Sequence, residues 1–332
     1  HHQKLVVNAT WVQDTLAQKN MFFRKVNRMS PIIYKNSIIA GNSYDGLVSF
    51  DLQSKNEKWR TAIPYGVEAG AATINDRLFV GSNSGQMYSI NMSSGEIIWV
   101  FDSKSELVSE PLLHNGILYF ISGSQSLYAL DASNGKQIWF YNRQDTTSSM
   151  SIRGGSKPTI ANGMLYVGFS DGALVAINAQ TCTEQWEITL NRNTKFKDID
   201  ASPLVDGDYI YINSYDDKIY CLSKDKGEII WSAAFGGFST PLLLDGALIV
   251  TSSKGELAAL SKKDGQVLWV KKTNNGVFIE PSPFKSMIMT GESQGKLLFF
   301  DQKTGDQVGS FEPGRGVFSK PSVHNDFLYF MS

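Results

Sequence analysis

The sequence predicts an all-β protein, an eight-bladed β-propeller of four-stranded antiparallel blades whose ring is closed by N- and C-terminal strands in one blade. Two observations predict it. A unit of about 40 residues recurs along the chain, and each copy carries four short strand signals divided by turn residues. No stretch has helical periodicity of any length.

The units align along their whole length. "PLLHNGILYFISGSQSLYALDASNGKQIW" runs from Pro111 to Trp139, and "PTIANGMLYVGFSDGALVAINAQTCTEQW" from Pro158 to Trp186. Further copies begin at Pro203 and Pro241, with weaker ones at Pro31, Ala72 and Pro283. Tryptophans recur at positions 11, 59, 99, 139, 186, 231 and 269, and Gly309 stands where the next is expected. Runs rich in Val, Ile, Tyr and Leu, broken by Asn-Gly, Asp-Gly or Ser-Gly, are hairpin signals.

Seven units are complete. "KPSVHNDFLYFMS" then supplies two more strands, and "KLVVNATWVQD" supplies a last strand with Trp11. Joined, they would make an eighth blade shared between about residues 3–14 and 319–332, one strand short, as if the sequence were cut at its C-terminus. A seven-bladed ring with loose ends is the alternative. Either way residues 1–332 form one expected domain, with His1 and His2 as a tag remnant.

Composition narrows the function. The chain is 42% hydrophobic and 12% aromatic, which fits a packed core rather than disorder. The formal net charge is −1 and no basic tract stands out, so nucleic acid is not an expected partner. No apolar run approaches the roughly 20 residues that span a bilayer, and no signal peptide is present. The natural N-terminus, with any export signal or lipid anchor, is expected to lie outside this sequence. Cys182 and Cys221 form neither a CxxC nor an adjacent pair. Small side chains filling small places is the leading reading, and a disulfide between them the other.

"ALDASNGKQIW" has a mechanical meaning. Asp131 opens a turn, Gly135 supplies a positive φ, and Trp139 can pack flat between blades. In this the units resemble the pyrroloquinoline-quinone-like propeller repeat, with its tryptophan docking. That repeat is shared with quinone-dependent dehydrogenases, many of which set an adjacent cysteine pair against the cofactor, and this chain has none. Asp198 and Asp200 are closely paired, and on an extended segment would point the same way, as a cation site needs. Nothing nearby completes a coordination sphere. His114 and His324 hold the same slot in different blades and so would lie apart. No catalytic triad, metal-ligand set or phosphate loop emerges, and no cofactor is expected.

Two connections between blades are long, 140–157 and 187–202. Both flank the fourth repeat, and both run from a last strand to the next first strand. Long loops on a rigid scaffold are where binding residues collect. One carries Met150, Ile152 and Arg153 in "SMSIRGGSKPT", the other Lys195, Phe196, Lys197, Asp198, Ile199 and Asp200 in "KFKDIDASP". An apolar and charged patch with an arginine suits a protein-binding surface. Arg153 could equally pair with Asp198 or Asp200 simply to hold the two loops together.

These two segments, in this order on this repeat, are similar to loops of the BamB family, the lipoprotein subunit of the outer-membrane β-barrel assembly machinery. Met150 and Ile152 depart conservatively from the leucines usual there. The resemblance implies a non-catalytic periplasmic scaffold, tethered to the inner leaflet of the outer membrane by a lipidated cysteine outside this sequence. It implies that Met150, Ile152, Arg153, Gly154, Asp198 and Asp200 bind the POTRA domains of BamA, supporting folding and insertion of outer-membrane β-barrel proteins. Unfolded outer-membrane proteins, added as strands to blade edges, are a second expected partner. A ligand- or glycan-binding propeller is the alternative, for which Tyr44, Phe169 and Tyr215 hold equivalent turn positions that could line a face, and a quinone-dependent dehydrogenase comes after it.

Overall fold

A computed structural model describes residues 5–16, 28–143, 156–190 and 199–332. The chain divides into two compact units. One, residues 11–144 and 321–331, holds four-stranded blades at 32–62, 72–102 and 112–142, here blades 1 to 3. It also holds a two-stranded hairpin, Ser322–His324 paired with Phe327–Tyr329. The other unit, residues 1–10, 145–320 and 332, holds blades 4 to 7 at 159–189, 204–233, 242–272 and 282–311. Each blade is an antiparallel meander in sequence order.

The expected eighth blade is thereby corrected: among the described residues there are seven four-stranded blades, not eight. The terminal segments do not share a sheet. The hairpin pairs only within itself. Trp11 gives its ring to blade 1, edge-on to Phe50 at 5.7 Å. Leu5 makes one parallel bridge to Gly309, its N–H donating to Val308 O at 3.0 Å on the outer strand of blade 7. The reason is the missing ladder partner. Without a third strand beside Phe327–Tyr329, a last-strand segment has no backbone row to join there, and its polar groups must be satisfied elsewhere.

Sequence dictates the blades locally. The first hairpin of blade 3 turns on Asn115 and Gly116 at φ 49° and 77°, the double positive φ that an Asn-Gly turn supplies. Second and third strands, such as Ala247–Thr251 of blade 6, are near-continuously apolar because a neighbouring blade covers each face, blade 5 over Leu248 and Val250 and blade 7 over Ile249. Leu78, Val80 and Ile90 of blade 2 pack on Ile39 and Leu47 of blade 1, and Leu248 and Leu260 of blade 6 pack on Tyr211 and Ile219 of blade 5.

The tryptophan docking holds in detail. The indole N–H of Trp59, Trp99, Trp186, Trp231 and Trp269 donates to the carbonyl of Met92, Ala132, Lys224, Lys262 and Gln302 respectively, on the next blade, at 3.1–3.4 Å. Each ring lies over a turn glycine; at Gly265 (φ 72°) a Cβ would sit 2.6 Å from Trp231. Left-handed backbone and ring contact therefore both require glycine at that place. Across the same strands a small residue faces the tryptophan: Ser49, Ser89, Ala176, Cys221 and Ala259 oppose Trp59, Trp99, Trp186, Trp231 and Trp269. Cys221 is thus a buried small side chain, and both cysteines are free thiols rather than a disulfide. In all seven blades the pairing of third and outer strands slips one step beside this position, leaving an extra outer-strand residue such as Ile98 or Ile230.

Candidate interaction site beside blade 4

The two long connections leave blade 3 after Asn142 and blade 4 after Thr189. Met150, Ile152, Arg153, Gly154 and Asp198 lie outside the described residues. Their flanks are described, and here the structure brings the ends of the two connections together. Ser156, fully buried, donates its hydroxyl to Ala201 O at 3.1 Å. Thr159 donates to Pro203 O at 2.6 Å. One side-chain hydrogen bond therefore crosses from the end of one connection to the end of the other, and a second ties the residues just beyond them.

Ile199, between the two aspartates, is 1% exposed. Its N–H donates to Phe169 O at 3.2 Å, and its side chain packs on Gly168, the last residue of the second strand Met164–Gly168. Asp200 follows, half-buried at the rim. The motif that reads as two carboxylates around an apolar residue is thus anchored by that residue.

Neighbouring polar groups extend the ordered region. Ser202 N–H donates to Thr240 Oγ1 at 3.1 Å, Thr240 N–H to Glu280 Oε2 at 3.4 Å, and Lys320 Nζ to Glu280 Oε1 at 2.9 Å. These residues hold the same slot, just before the first strand, around successive blades. At the root of the second connection the Tyr220 hydroxyl donates to Asp216 and lies 3.4 Å from Leu190 O. Burial, then that carboxylate, push the Tyr220 hydroxyl well above the ordinary tyrosine range, so it stays a donor.

Other candidates from sequence come apart. Among the described residues no cluster of three His, Cys, Asp or Glu side chains could hold a metal. Phe169 is 1% exposed and Tyr215 stacks on Phe238 at 6.3 Å, so the first does not line a glycan-binding face and the second is engaged in packing. Tyr44 is half-buried. Sequence reading missed Gly168, Ser156 and Thr159. A signal existed: glycine recurs at or next to the end of the second strand at 41, 81, 168 and 291, with Val67, Leu107, Ile199 and Val317 respectively on the connection that follows.

A family model described as outer membrane protein assembly factor BamB matches residues 59–269 and 197–329. The outer membrane protein assembly factor BamB of Shewanella oneidensis is 25% identical over 324 residues, covering 91% of this chain and 82% of the relative. The crystal structure of BamB from Moraxella catarrhalis superposes with a TM-score of 0.80 at 20% identity, covering 93% of this chain and 95% of that one. Quinohemoprotein alcohol dehydrogenase from Comamonas testosteroni superposes at 0.76 with 12% identity, covering 90% of this chain but 68% of its own, a likeness of fold alone. With its model spanning most of the chain, the family is established: this protein belongs to the outer membrane protein assembly factor BamB family.

Proposed function

We propose that this protein is a non-catalytic scaffold of outer-membrane protein assembly which docks on the POTRA domains of BamA through the two connections flanking blade 4. The relatives are named outer membrane protein assembly factors, and that role carries over with the family. The observation that supports the docking surface is the clasp of Ser156 on Ala201, which joins the ends of the two longest connections. A surface ordered before binding loses less entropy on association, so a few residues can dominate affinity. In this reading Arg153 supplies charge-assisted hydrogen bonds to the partner, Asp198 and Asp200 orient it or accept from the partner, and Met150 and Ile152 supply apolar contact. Gly154, next to Arg153 in sequence, completes the proposed contact set. The chain works in the periplasm, held to the inner leaflet of the outer membrane by a lipid anchor.

Titration calorimetry against purified POTRA domains of the cognate BamA tests this. Arg153→Ala and Asp198→Ala/Asp200→Ala should each weaken binding by about 1–2 kcal/mol or more while the circular dichroism spectrum is unchanged. Wild-type protein that does not bind would remove the partner. Variants that bind like wild type would remove the site.

A further inference from the structure

Gly168 and Ile199 form a pair that recurs. Val67 sits on Gly41, Leu107 on Gly81, and Val317 on Gly291, where a Cβ would approach the partner side chain to 2.4–2.5 Å, as it would at Gly168. The amides of Val67, Leu107 and Val317 donate to Asn42, Ser82 and Glu292 carbonyls at 2.9–3.0 Å, as that of Ile199 does to Phe169. All four apolar side chains are at most 1% exposed. The pair is therefore a seam device of blades 1, 2, 4 and 7: a glycine stands at or next to the end of the second strand, and an apolar plug from the following connection fills the space its missing side chain leaves.

Only the plug of blade 4 has carboxylates on both sides. We infer that Gly168 and Ile199 are positioning residues for the docking segment, fixing where the Asp200 carboxylate leaves the backbone. This rests on the docking assignment above. The plug sets the depth of the segment, through the amide bond to Phe169 and contact with Gly168. The Ser156 and Thr159 hydroxyls fix the carbonyls at Ala201 and Pro203 just beyond. Asp200 thus lies between two fixed points and cannot be displaced without moving one of them. A methyl at residue 168 would meet Ile199 Cγ2 at 2.4 Å and Ile199 O at 2.9 Å, so side chain and backbone would both have to move outward.

The test uses a matched control. Gly168→Ala and Gly81→Ala introduce the same clash, 2.4 Å against Ile199 and 2.5 Å against Leu107. Each should lower Tm by a similar amount. Only Gly168→Ala should weaken POTRA-domain binding, by about tenfold, the effect of removing one strong interaction from an interface. Gly168→Ala/Ile199→Ala, which vacates the space, should recover most of the loss. Should Gly168→Ala fail to fold, Ile199→Val, one methyl smaller, should still weaken binding severalfold with little change in Tm. Equal weakening by Gly168→Ala and Gly81→Ala would overturn the positioning role. So would wild-type affinity in Gly168→Ala while Arg153→Ala binds poorly, an outcome that leaves the docking site standing. Absence of wild-type binding would remove the docking assignment and the positioning role together.

Discussion

Phe299 and Gly309 face each other across the third and outer strands of blade 7, inverting the order of size found in other blades. Elsewhere serine, alanine or cysteine faces a tryptophan. Here the large ring sits inside, fully buried and 5.5 Å from Phe284, and the small residue sits outside. The vacated outer place is taken by Leu5, whose Cβ lies 2.9 Å from where a Gly309 Cβ would be.

Restoring the usual residue at one position alone should therefore harm the protein. Gly309→Trp would meet Phe299 and Leu5 and should destabilise by about 1–3 kcal/mol. Phe299→Ala would leave a cavity worth about 3–5 kcal/mol. The double variant should be less destabilised than the sum, with a coupling of about 1 kcal/mol or more measurable by denaturant unfolding. Strict additivity would mean the two positions do not compensate each other.

The two thiols should differ in reactivity. Burial pushes the Cys221 thiol up to about 11, and burial also raises that of half-buried Cys182. Both groups are protonated at neutral pH, and the thiolate is the reactive form. With a thiol reagent at about pH 7.5, native protein should expose Cys182 slowly and Cys221 only as fast as the blade opens; denatured protein should react at both at once. Prompt labelling of Cys221 in the native state would contradict its place opposite Trp231.

Acid should weaken the turns before it affects the apolar seams. The Ser54 backbone N–H, chief among several donors, holds the Asp51 carboxyl below its usual 3.8, and the Ser133 hydroxyl does the same for Asp131. A carboxyl depressed in the folded state adds stability above its unfolded value, and that addition is lost as pH falls through the folded value. Melting temperature should thus be level above 3.8 on account of these groups and decline below it. Asp51→Asn/Asp131→Asn keeps an acceptor but removes the titration, and its decline should be shallower in thermal melts from about pH 2.5 to 6.

What could be read in the sequence was what one residue type enforces alone. Asn115-Gly116 and the glycine under each of five tryptophans sit in left-handed backbone that glycine and asparagine favour, so the strands and their docking were legible. The blade count was not, because the terminal segments carry correct strand patterns while the ladder partner that would join them is a matter of which backbone rows are open. Ile199 read as part of an exposed motif because its partner, Gly168, lies a whole hairpin away and has no side chain to announce it. Met150, Ile152 and Arg153 were picked out by the length of their connection and Gly154 by the family resemblance; all four lie outside the described residues, and the clasp at Ser156 lies just beyond them.

The slipped pairing in every blade bears on how the molecule behaves when crowded. Outer strands carry exposed Ile97, Ile98 and Val100 in blade 2 and Val267, Leu268 and Val270 in blade 6, the kind of sticky margin that seeds fibrils. The additional residue at Ile98 or Leu268 breaks the even spacing of backbone donors and acceptors along that margin. A foreign strand that starts in step at one end falls out of step before the other. Among the described residues the same interruption recurs in seven blades, so none of these outer strands keeps an even row of backbone groups along its whole length.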